Sequence, residues 1–369
     1  MTRWRSRIAG LVIAAIVFEA MARLAFAVRS PPPVTDLQPY QMADASHPWH
    51  KRLRPGFTET YAEAAEFKHN TGRVLGERYL AELRSDPRQV FVRINRDGFR
   101  GPEIDPAHRT TRIVTVGDSC TFGMAEAESY PRVMEDTLRR GGVAVEVINA
   151  GVEGYTTGDV LLEVDRIGQL RPEWVTIYLG WNGFFNEEQV FGFPRLASWR
   201  LLRGVARGIG RAYRGRQQTA LSEYAKAKHL DRDAPAVRAL DGFVPAFVGD
   251  LQEIVRLIRA RGSRVVLFTL PGLYEMDHEP TLAMLQMGHV PSYTDNPYVL
   301  AKLTARYNDT LREMARNGSA ELIDLDQWSR TTLRPRERYF FDSVHLTDEG
   351  QAMLGRYLAD RLQSLITTR

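Results

Sequence analysis

Three residues of the chain could together perform acyl transfer. Ser119 ends the stretch "TVGDS", two positions past a strand-like run, and a hydroxyl there can act as a nucleophile if a base removes its proton. Asp342 and His345 stand in the stretch "DSVH". An Asp-x-x-His pair in one short loop lets the carboxylate hold the imidazole in the tautomer that a base requires. The sequence therefore predicts a serine nucleophile with a histidine base, provided that the fold brings them together.

Acyl transfer also needs hydrogen-bond donors for the negative charge that develops on the substrate carbonyl oxygen. The stretch "NAGVEGYTTGD" contains Gly151 and Gly154, where backbone N–H groups can approach a ligand closely. The stretch "GWNG" offers the side-chain amide of Asn182. Each stretch alone is typical of a turn. Together with the serine and the histidine, they complete the set of groups that acyl transfer requires.

Simpler interpretations exist for these residues. A serine after a strand is often only a helix cap, and the stretch has neither the G-x-S-x-G pattern of an α/β-hydrolase nor a P-loop pattern. Two other pairs could supply the base, Asp44 with His47 in a proline-rich segment and Asp277 with His278 after the fourth predicted strand. The only cysteine, Cys120, directly follows the serine. Because one step along a helix turns a side chain by about 100°, we interpret it as a packing residue.

The elements that must position these residues begin at residue 111. From there, apolar strand-like runs alternate with stretches of helical period, which is the pattern of βαβ units and a parallel sheet covered on both faces. Ligands of such sheets bind at the carboxyl ends of the strands, where the candidate residues lie. The predicted strands are 112–117, 143–149, 174–180, 264–270 and 321–325, and the predicted helices lie near 128–140, 157–169, 245–261, 297–317 and 347–366.

The order of the motifs resembles the SGNH hydrolase (GDSL-type esterase) family over about residues 111–366. The matching residues are Gly117-Asp118-Ser119, Gly154, Gly180-Trp181-Asn182 and Asp342-Ser343-Val344-His345. The resemblance implies a three-layer, flavodoxin-like fold with a parallel five-stranded sheet, and it implies no metal and no cofactor. It assigns the roles of nucleophile, base and base-orienting residue to Ser119, His345 and Asp342. The oxyanion hole would consist of the amides of Ser119 and Gly154 and the side chain of Asn182, while Gly151 is left as a structural turn.

The same resemblance suggests an ester substrate. An anchored chain with an accessory segment is similar to exported bacterial members, some of which act on acylated cell-surface glycans as deacetylases or acyltransferases. The chain departs from the family at Gly183, where an Asp is usual, so a carboxylate that would support the Asn182 loop is missing. It departs again at Cys120, where a hydroxyl or aliphatic side chain is commoner. The first departure leaves open a catalytically inactive, glycan-binding or polysaccharide-assembly protein.

The N-terminus predicts export. Arg3, Arg5 and Arg7 precede an apolar stretch, and Ile8–Val28 is about long enough to span a bilayer as a membrane anchor. Alternatively, the A-x-A pattern ending at Ala27 would be the cleavage site of a signal peptide. Both interpretations place the basic end in the cytoplasm and the catalytic domain in the periplasm or outside the cell. A buried helix of a soluble protein is the third alternative.

The predicted organisation has three parts. Residues 1–29 are the anchor or signal segment, 30–110 a linker with a small accessory segment, and 111–369 the hydrolase domain, with an insertion at about 186–244. The accessory segment contains a strand-like run at Gln89–Ile94 but suggests no chemistry of its own. In the insertion, Arg195–Arg216 could be a basic amphipathic helix on an anionic membrane surface, or a solvated helix face. The membrane interpretation is the basis for a lipase or phospholipase as a further alternative.

Composition excludes several classes of protein. The 369 residues are 44% hydrophobic and 25% charged, as in a folded globular protein. One cysteine excludes an intramolecular disulfide framework and multi-cysteine metal sites. The net charge is only +4, and no nucleic-acid-binding motif is present, so we expect no nucleic-acid partner. The expected partners are an ester substrate and a membrane.

Overall fold

The computed structural model describes residues 2–28, 33–70, 86–123, 129–192 and 224–367. The strands before residue 111 are short. The elements of this part are α1 (Thr2–Val28), β1 (Gln41–Ala43), β2 (Lys51–Leu53), β3 (Thr58–Thr60), α2 (Tyr61–Asn70) and β4 (Val90–Arg93). Strands β1 and β2 form an antiparallel hairpin, and β3 pairs antiparallel with β4. The strand predicted at Gln89–Ile94 is confirmed as β4.

A five-stranded parallel sheet forms the centre of the protein, as the alternating pattern predicts. Its strands are β5 (Thr111–Gly117), β6 (Val145–Gly151), β7 (Trp174–Tyr178), β9 (Arg264–Phe268) and β11 (Glu321–Ile323), while β8 (Tyr224–Ala225) and β10 (Val290–Pro291) form a separate antiparallel ribbon. The order β11-β9-β7-β5-β6 is that of flavodoxin-like folds. Strand β5 therefore lies between β6 and β7. This arrangement brings the loops that follow these three strands to one edge of the sheet.

Helices cover the sheet at the positions that the 3.6-residue period predicts. The helices after residue 111 are α3 (Ser119–Phe122), α4 (Tyr130–Arg140), α5 (Thr157–Gln169), α6 (Trp181–Phe185), α7 (Glu187–Phe191), α8 (Pro235–Arg238), α9 (Val248–Ala260), α10 (Leu282–Met287), α11 (Pro297–Arg316), α12 (Leu325–Thr332), α13 (Arg336–Tyr339) and α14 (Asp348–Thr367). Helix α4 packs against α14, and α5 packs against α9. All five predicted helices are confirmed as α4, α5, α9, α11 and α14.

Local signals explain where the helices that follow the Gly154 loop and the Asp342–His345 loop begin. Thr156 and Asp159 form a capping box at the start of α5, in which the Asp159 carboxylate accepts the Thr156 N–H at 2.9 Å. At the start of α14, the Thr347 hydroxyl accepts the Gly350 N–H at 3.3 Å. Both signals are readable in the sequence. The loop before α5 therefore ends at Thr156, and the loop before α14 ends at Thr347.

The prediction of a membrane-spanning N-terminal helix is not supported. Thr2–Val28 does form a helix, and in the sequence Glu19 and Arg23 interrupt its apolar run. Within the part of the chain that the structure describes, no helix is long and apolar enough to cross a membrane. Arg195–Arg216 and its surroundings (193–223) lie outside the described residues, so their membrane contact stays a prediction. The division of the chain into three parts also stays a prediction.

Candidate active site

Ser119 is the first residue of α3, directly beyond β5. The chain can turn there because residue 117 is glycine: a Cβ on Gly117 would overlap the side chain of Thr121 and the carbonyl oxygen of Tyr178. Asp118 caps the short helix, since its carboxylate accepts the Cys120 N–H at 2.9 Å. The helix cap and the proposed nucleophile are therefore two different residues. Ser119 itself is left with its hydroxyl at the edge of the sheet.

The structure brings Ser119, His345 and Asp342 into one hydrogen-bonded chain. The Ser119 hydroxyl lies 2.7 Å from Nε2 of His345, and Nδ1 of His345 lies 2.7 Å from Oδ2 of Asp342. The other carboxylate oxygen of Asp342 accepts the backbone N–H groups of Val344 and His345, both at 2.8 Å. With the Nδ1 proton directed at the carboxylate, Nε2 is free to accept the serine proton. The ring of Phe341 stacks on His345 at 5.2 Å between centroids and fixes its plane.

The electrostatics of the pair favour a charged carboxylate. Burial alone would raise the pKa of Asp342, but the neighbouring His345 and the hydrogen bond between them outweigh burial and lower that pKa to about 2. Burial would lower the pKa of His345, yet the Asp342 carboxylate raises it above the ordinary value. Asp342 is therefore ionised at neutral pH. Its charge stabilises the imidazolium that forms when His345 accepts a proton.

The predicted oxyanion donors surround the same cavity as the serine. This cavity has a volume of about 500 Å³ and is lined by Ser119, Gly154, Asn182 and His345, among others. Among the described residues, the amides of Ser119 and Gly154 find no protein acceptor. The side-chain nitrogen of Asn182 donates one hydrogen bond to the Tyr155 carbonyl at 2.9 Å, which leaves its second N–H for a ligand. Ser119, Gly154 and Asn182, which carry the three predicted donors, therefore line one cavity.

Gly151 and Gly154 lie in different places, and the prediction of Gly151 as a structural turn is wrong because the strand continues through it. Gly151 is the last residue of β6, and a Cβ there would overlap the backbone of Thr121 and Phe122. Gly154 lies in the cavity wall with a φ of +80°, a conformation that residues with a Cβ rarely adopt. Gly151 is therefore a packing glycine. Gly154 presents its backbone to the cavity.

The departure at Gly183 has a steric cause. A Cβ on Gly183 would lie 2.7 Å from the ring of Phe247, so a side chain at this position would require the ring to move. The Phe247 ring also contacts Phe184 and Tyr307, with centroids 5.5 Å away from each. Aromatic packing takes the space of the missing carboxylate. The Asn182 loop is held by this packing and by the bond to Tyr155.

Cys120 and the rival histidine pairs lie elsewhere. The Cys120 side chain is buried, its Sγ lies 3.5 Å from the Val344 carbonyl, and burial raises the pKa of the thiol. These facts confirm a packing residue. Asp44 accepts two backbone N–H groups and forms an ion pair with Arg52, and Asp277 pairs with Arg330. Neither His47 nor His278 lines the cavity around Ser119.

The sequence interpretation missed one wall of the cavity. Trp181, Phe185, Tyr224 and His289 line it, and the ring centroid of His289 lies 5.2 Å from Phe185 and 4.6 Å from Tyr224. His289 reaches the site because its backbone N–H donates to the Ser343 hydroxyl at 2.7 Å, next to Asp342. Trp181 stands in the motif that contains Asn182, but no local motif marks Phe185, Tyr224 or His289. Glu153 also lines the cavity, and it could have been identified from the sequence because it directly precedes Gly154.

Comparison with known proteins places the chain in a family. An arylesterase from Vibrio mimicus is 34% identical over 86 residues, which cover 22% of this chain and 40% of that protein. The chain thus spans two fifths of the length of this relative. Solved structures include an acetylxylan esterase from Geobacillus stearothermophilus (14% identity, TM-score 0.41, covering 70% of this chain and 95% of that one). A psychrotrophic esterase from a Pseudoalteromonas species is 15% identical with a TM-score of 0.38, covering 70% of this chain and 100% of that one. Residues 115–353 match the model of one family, and the chain therefore belongs to the GDSL-like lipase/acylhydrolase family.

Proposed function

We propose that the protein is a serine esterase that works through an acyl-enzyme. The observation that carries the proposal is the hydrogen-bonded chain from Ser119 through His345 to Asp342, with bonds of 2.7 Å on both sides of the imidazole. Nucleophile and base are within the distance needed for direct proton transfer. The donors of Gly154 and Asn182 line the same cavity.

The reaction would proceed in two half-reactions. His345 takes the hydroxyl proton while Ser119 Oγ attacks the ester carbonyl, and the carbonyl oxygen becomes an oxyanion held by the three N–H donors. The intermediate collapses as the carbonyl–alkoxy bond breaks, and the imidazolium returns its proton to the leaving alcohol. Water, or the hydroxyl of an acceptor sugar, then attacks the acyl-enzyme with His345 again as the base. The bond between the acyl carbon and Ser119 Oγ breaks, the imidazolium returns the proton to Oγ, and the acid or the new ester leaves. Hydrolysis and acyl transfer differ only in this second nucleophile.

For the substrate we propose an ester of a hydroxyl-rich alcohol, such as an acetylated cell-surface glycan. The aromatic wall of Phe185, Tyr224 and His289 supports this proposal, because aromatic faces pack well on the C–H face of a sugar ring. Glu153 lines the same cavity and offers oxygens that accept hydrogen bonds from hydroxyl groups. A few polar groups among aromatic side chains are typical of selective pockets.

We also propose that the chain is exported, with the catalytic part outside the cytoplasm and an uncleaved N-terminal segment retained at the inner membrane. The basic residues Arg3, Arg5 and Arg7 before an apolar run support this topology. The apolar side chains of Ile13, Ile16 and Leu24 on α1 are 61%, 63% and 66% exposed. Cell fractionation with intact mass measurement tests the proposal and its alternative, cleavage after Ala27. Recovery of the full-length chain in the cytoplasm alone would rule out export.

The decisive test of the activity is active-site labelling. A fluorophosphonate should label the wild-type protein at Ser119, and Ser119→Ala should lose both the label and nearly all turnover of p-nitrophenyl acetate. Ser364→Ala, on the outer helix α14, serves as the matched control and should behave as wild type. Unchanged turnover in pure Ser119→Ala protein would reject the proposed function. Saturable binding of a glycan with no label and no turnover would favour the inactive binding protein instead.

A panel of esters tests the substrate class. Acetylated sugars and p-nitrophenyl esters of increasing chain length should be compared for kcat/KM. Tyr224→Ala should lower kcat/KM for an acetylated oligosaccharide by a larger factor than for p-nitrophenyl acetate. A strong preference for long acyl chains would instead favour a lipase or phospholipase. Product analysis with a sugar acceptor distinguishes transfer from hydrolysis.

A further inference from the structure

The hairpin β1–β2 lies against the loop that carries Gly154. The Tyr40 hydroxyl donates to the Glu153 carboxylate at 2.7 Å, and the Tyr155 hydroxyl donates to the Lys51 carbonyl at 2.7 Å. Both chain neighbours of Gly154 are therefore bound by residues that precede them by more than a hundred positions. A Cβ on Gly154 would overlap the Lys51 side chain. Little free space is left behind this glycine.

A buried ionic cluster fixes the hairpin to the helix that follows the loop. His50 is 0% exposed and lies between Asp159 at 3.2 Å and Glu163 at 2.8 Å, both on α5. Burial would lower the pKa of His50, but the hydrogen bonds to the two carboxylates raise it to about 9, so the ring is charged at neutral pH. Arg52 adds a bond to Glu163 at 2.7 Å. A charged group in this position cannot leave its partners without a large cost.

Tyr155 also connects the hairpin to a second oxyanion donor, the side chain of Asn182. The hydroxyl of this residue binds the hairpin, and its carbonyl oxygen accepts the hydrogen bond of the Asn182 side chain at 2.9 Å. Tyr155 itself is buried. One residue thus connects the accessory segment to the donors on both sides of the cavity. Any shift of Tyr155 would displace Gly154 and Asn182 together.

The loop needs such a support. Glycine has more conformational freedom than any other residue, whereas donors act only if they are held within about 0.5 Å of the productive position. The stretch that matches the family begins at residue 115 and does not contain the hairpin. The support therefore comes from outside the matching region.

We propose that hairpin β1–β2 positions the oxyanion hole, with Tyr40, His50 and Tyr155 as the positioning residues. This inference rests on the proposed function and gives the accessory segment its role. None of the three residues needs to touch the substrate. Their effect is on the transition state, because the donors bind the oxyanion more strongly than the substrate carbonyl.

The test is Tyr155→Phe, which removes one hydroxyl and leaves the ring. Because removal of a whole donor costs about 10²–10³ in rate, displacement of the donors should lower kcat for p-nitrophenyl acetate about tenfold with KM unchanged. The inhibition constant of a trifluoromethyl ketone, whose adduct with serine carries an oxyanion, should rise by a similar factor. Binding of the product alcohol should not change. If Tyr155 only stabilised the fold, its loss would weaken the binding of the trifluoromethyl ketone and of the product alcohol by the same factor.

The matched control is Tyr298→Phe, which removes another buried hydroxyl, 3.4 Å from the His278 carbonyl and outside the cavity. It should leave kcat and both inhibition constants at the wild-type values. If Tyr155→Phe does not fold, Tyr40→Phe replaces it, since that variant removes only the bond to Glu153 and keeps the ring stacked on Phe122. The same tenfold loss is expected.

Two failures can be told apart. If Ser119 is labelled and wild-type turnover depends on it, but Tyr155→Phe and Tyr40→Phe keep kcat and the ketone affinity within twofold, the positioning role is wrong and the esterase stands. If Ser119→Ala remains active, the proposed function is wrong and the inference falls with it. Equal losses for the ketone and the product alcohol would also overturn the positioning role.

Discussion

The hydroxyl oxygen of Ser119 lies 2.7 Å from Nε2 of His345. This distance is that of a good hydrogen bond and is short enough for direct proton transfer. On the other side of the imidazole, the Asp342 carboxylate binds Nδ1. The Nδ1 proton is therefore directed at the carboxylate, and Nε2 is the nitrogen that can accept the serine proton.

A plot of kcat/KM against pH should show one rise, and the pKa of His345 should determine its midpoint. The imidazole must be neutral to accept a proton, and the Asp342 carboxylate raises its pKa, with Asp118 and Glu153 acting in the same direction. The midpoint of kcat/KM against pH should lie above about 6.5. Asp342→Asn should move that midpoint down and lower kcat by about 10³–10⁴. A midpoint that Asp342→Asn leaves in place would contradict the coupling of the two residues.

Asn182→Ala should lower kcat by about 10²–10³ with little change in KM, because the lost N–H binds the oxyanion more strongly than the ground state. Steady-state kinetics on p-nitrophenyl acetate measure the effect. Asn186→Ala is the control, since the Asn186 side chain accepts the Glu188 and Gln189 N–H groups and only caps α7. Equal kinetics for the two variants would remove Asn182 from the oxyanion hole.

Gly183→Asp restores the family pattern in sequence and should nevertheless damage the protein. The new side chain would meet the Phe247 ring, and overpacking of this kind typically costs about 1–3 kcal/mol. Urea unfolding should show the loss, and turnover should not increase. Combining it with Phe247→Ala, which opens the space, should relieve part of the steric conflict. Gain of activity in the single variant would show that the loop can adapt to the carboxylate.

Asp118→Asn should stabilise the protein at high pH and lose that advantage at low pH. Burial raises the pKa of Asp118 to about 6 from an ordinary 3.8, and within the described part of the chain its Oδ2 has no hydrogen-bond partner. The folded state then holds its proton more tightly than the unfolded chain, so stability falls as pH rises from about 4 to 6. The upper limit of this loss is roughly 3 kcal/mol. Urea unfolding of both proteins at pH 5 and pH 8 measures the difference, and an equal effect at both values would contradict it.

The sheet and the reactive residues were predictable because their signals are local. Buried parallel strands are continuous apolar runs, as in Ile113–Val116, and the helices between them have the amphipathic period. The loops after such strands must meet at one edge, so Ser119, Gly154 and Asn182 could be placed together without a structure. The pair Asp342 and His345 was recognisable because both residues stand in one short loop.

The supporting contacts were not predictable, because each joins residues far apart in the sequence. Nothing near His50 indicates that its partners are Asp159 and Glu163, and nothing near His289 indicates a ribbon that ends at the cavity. Gly183 could be identified as a departure from the family, but its cause is a contact with Phe247. Such contacts depend on the three-dimensional packing of side chains, which no periodicity records.

The bond between Ser119 and His345 joins residues that are 226 positions apart. A chain that emerges from the ribosome contains its serine, its glycine loop and its asparagine long before its histidine exists. Until the segment beyond β11 has been made and has docked, Ser119 is an ordinary alcohol without a base. An unfinished or partly folded chain therefore lacks the base that the proposed activity needs, and that activity can begin only where and when folding is complete.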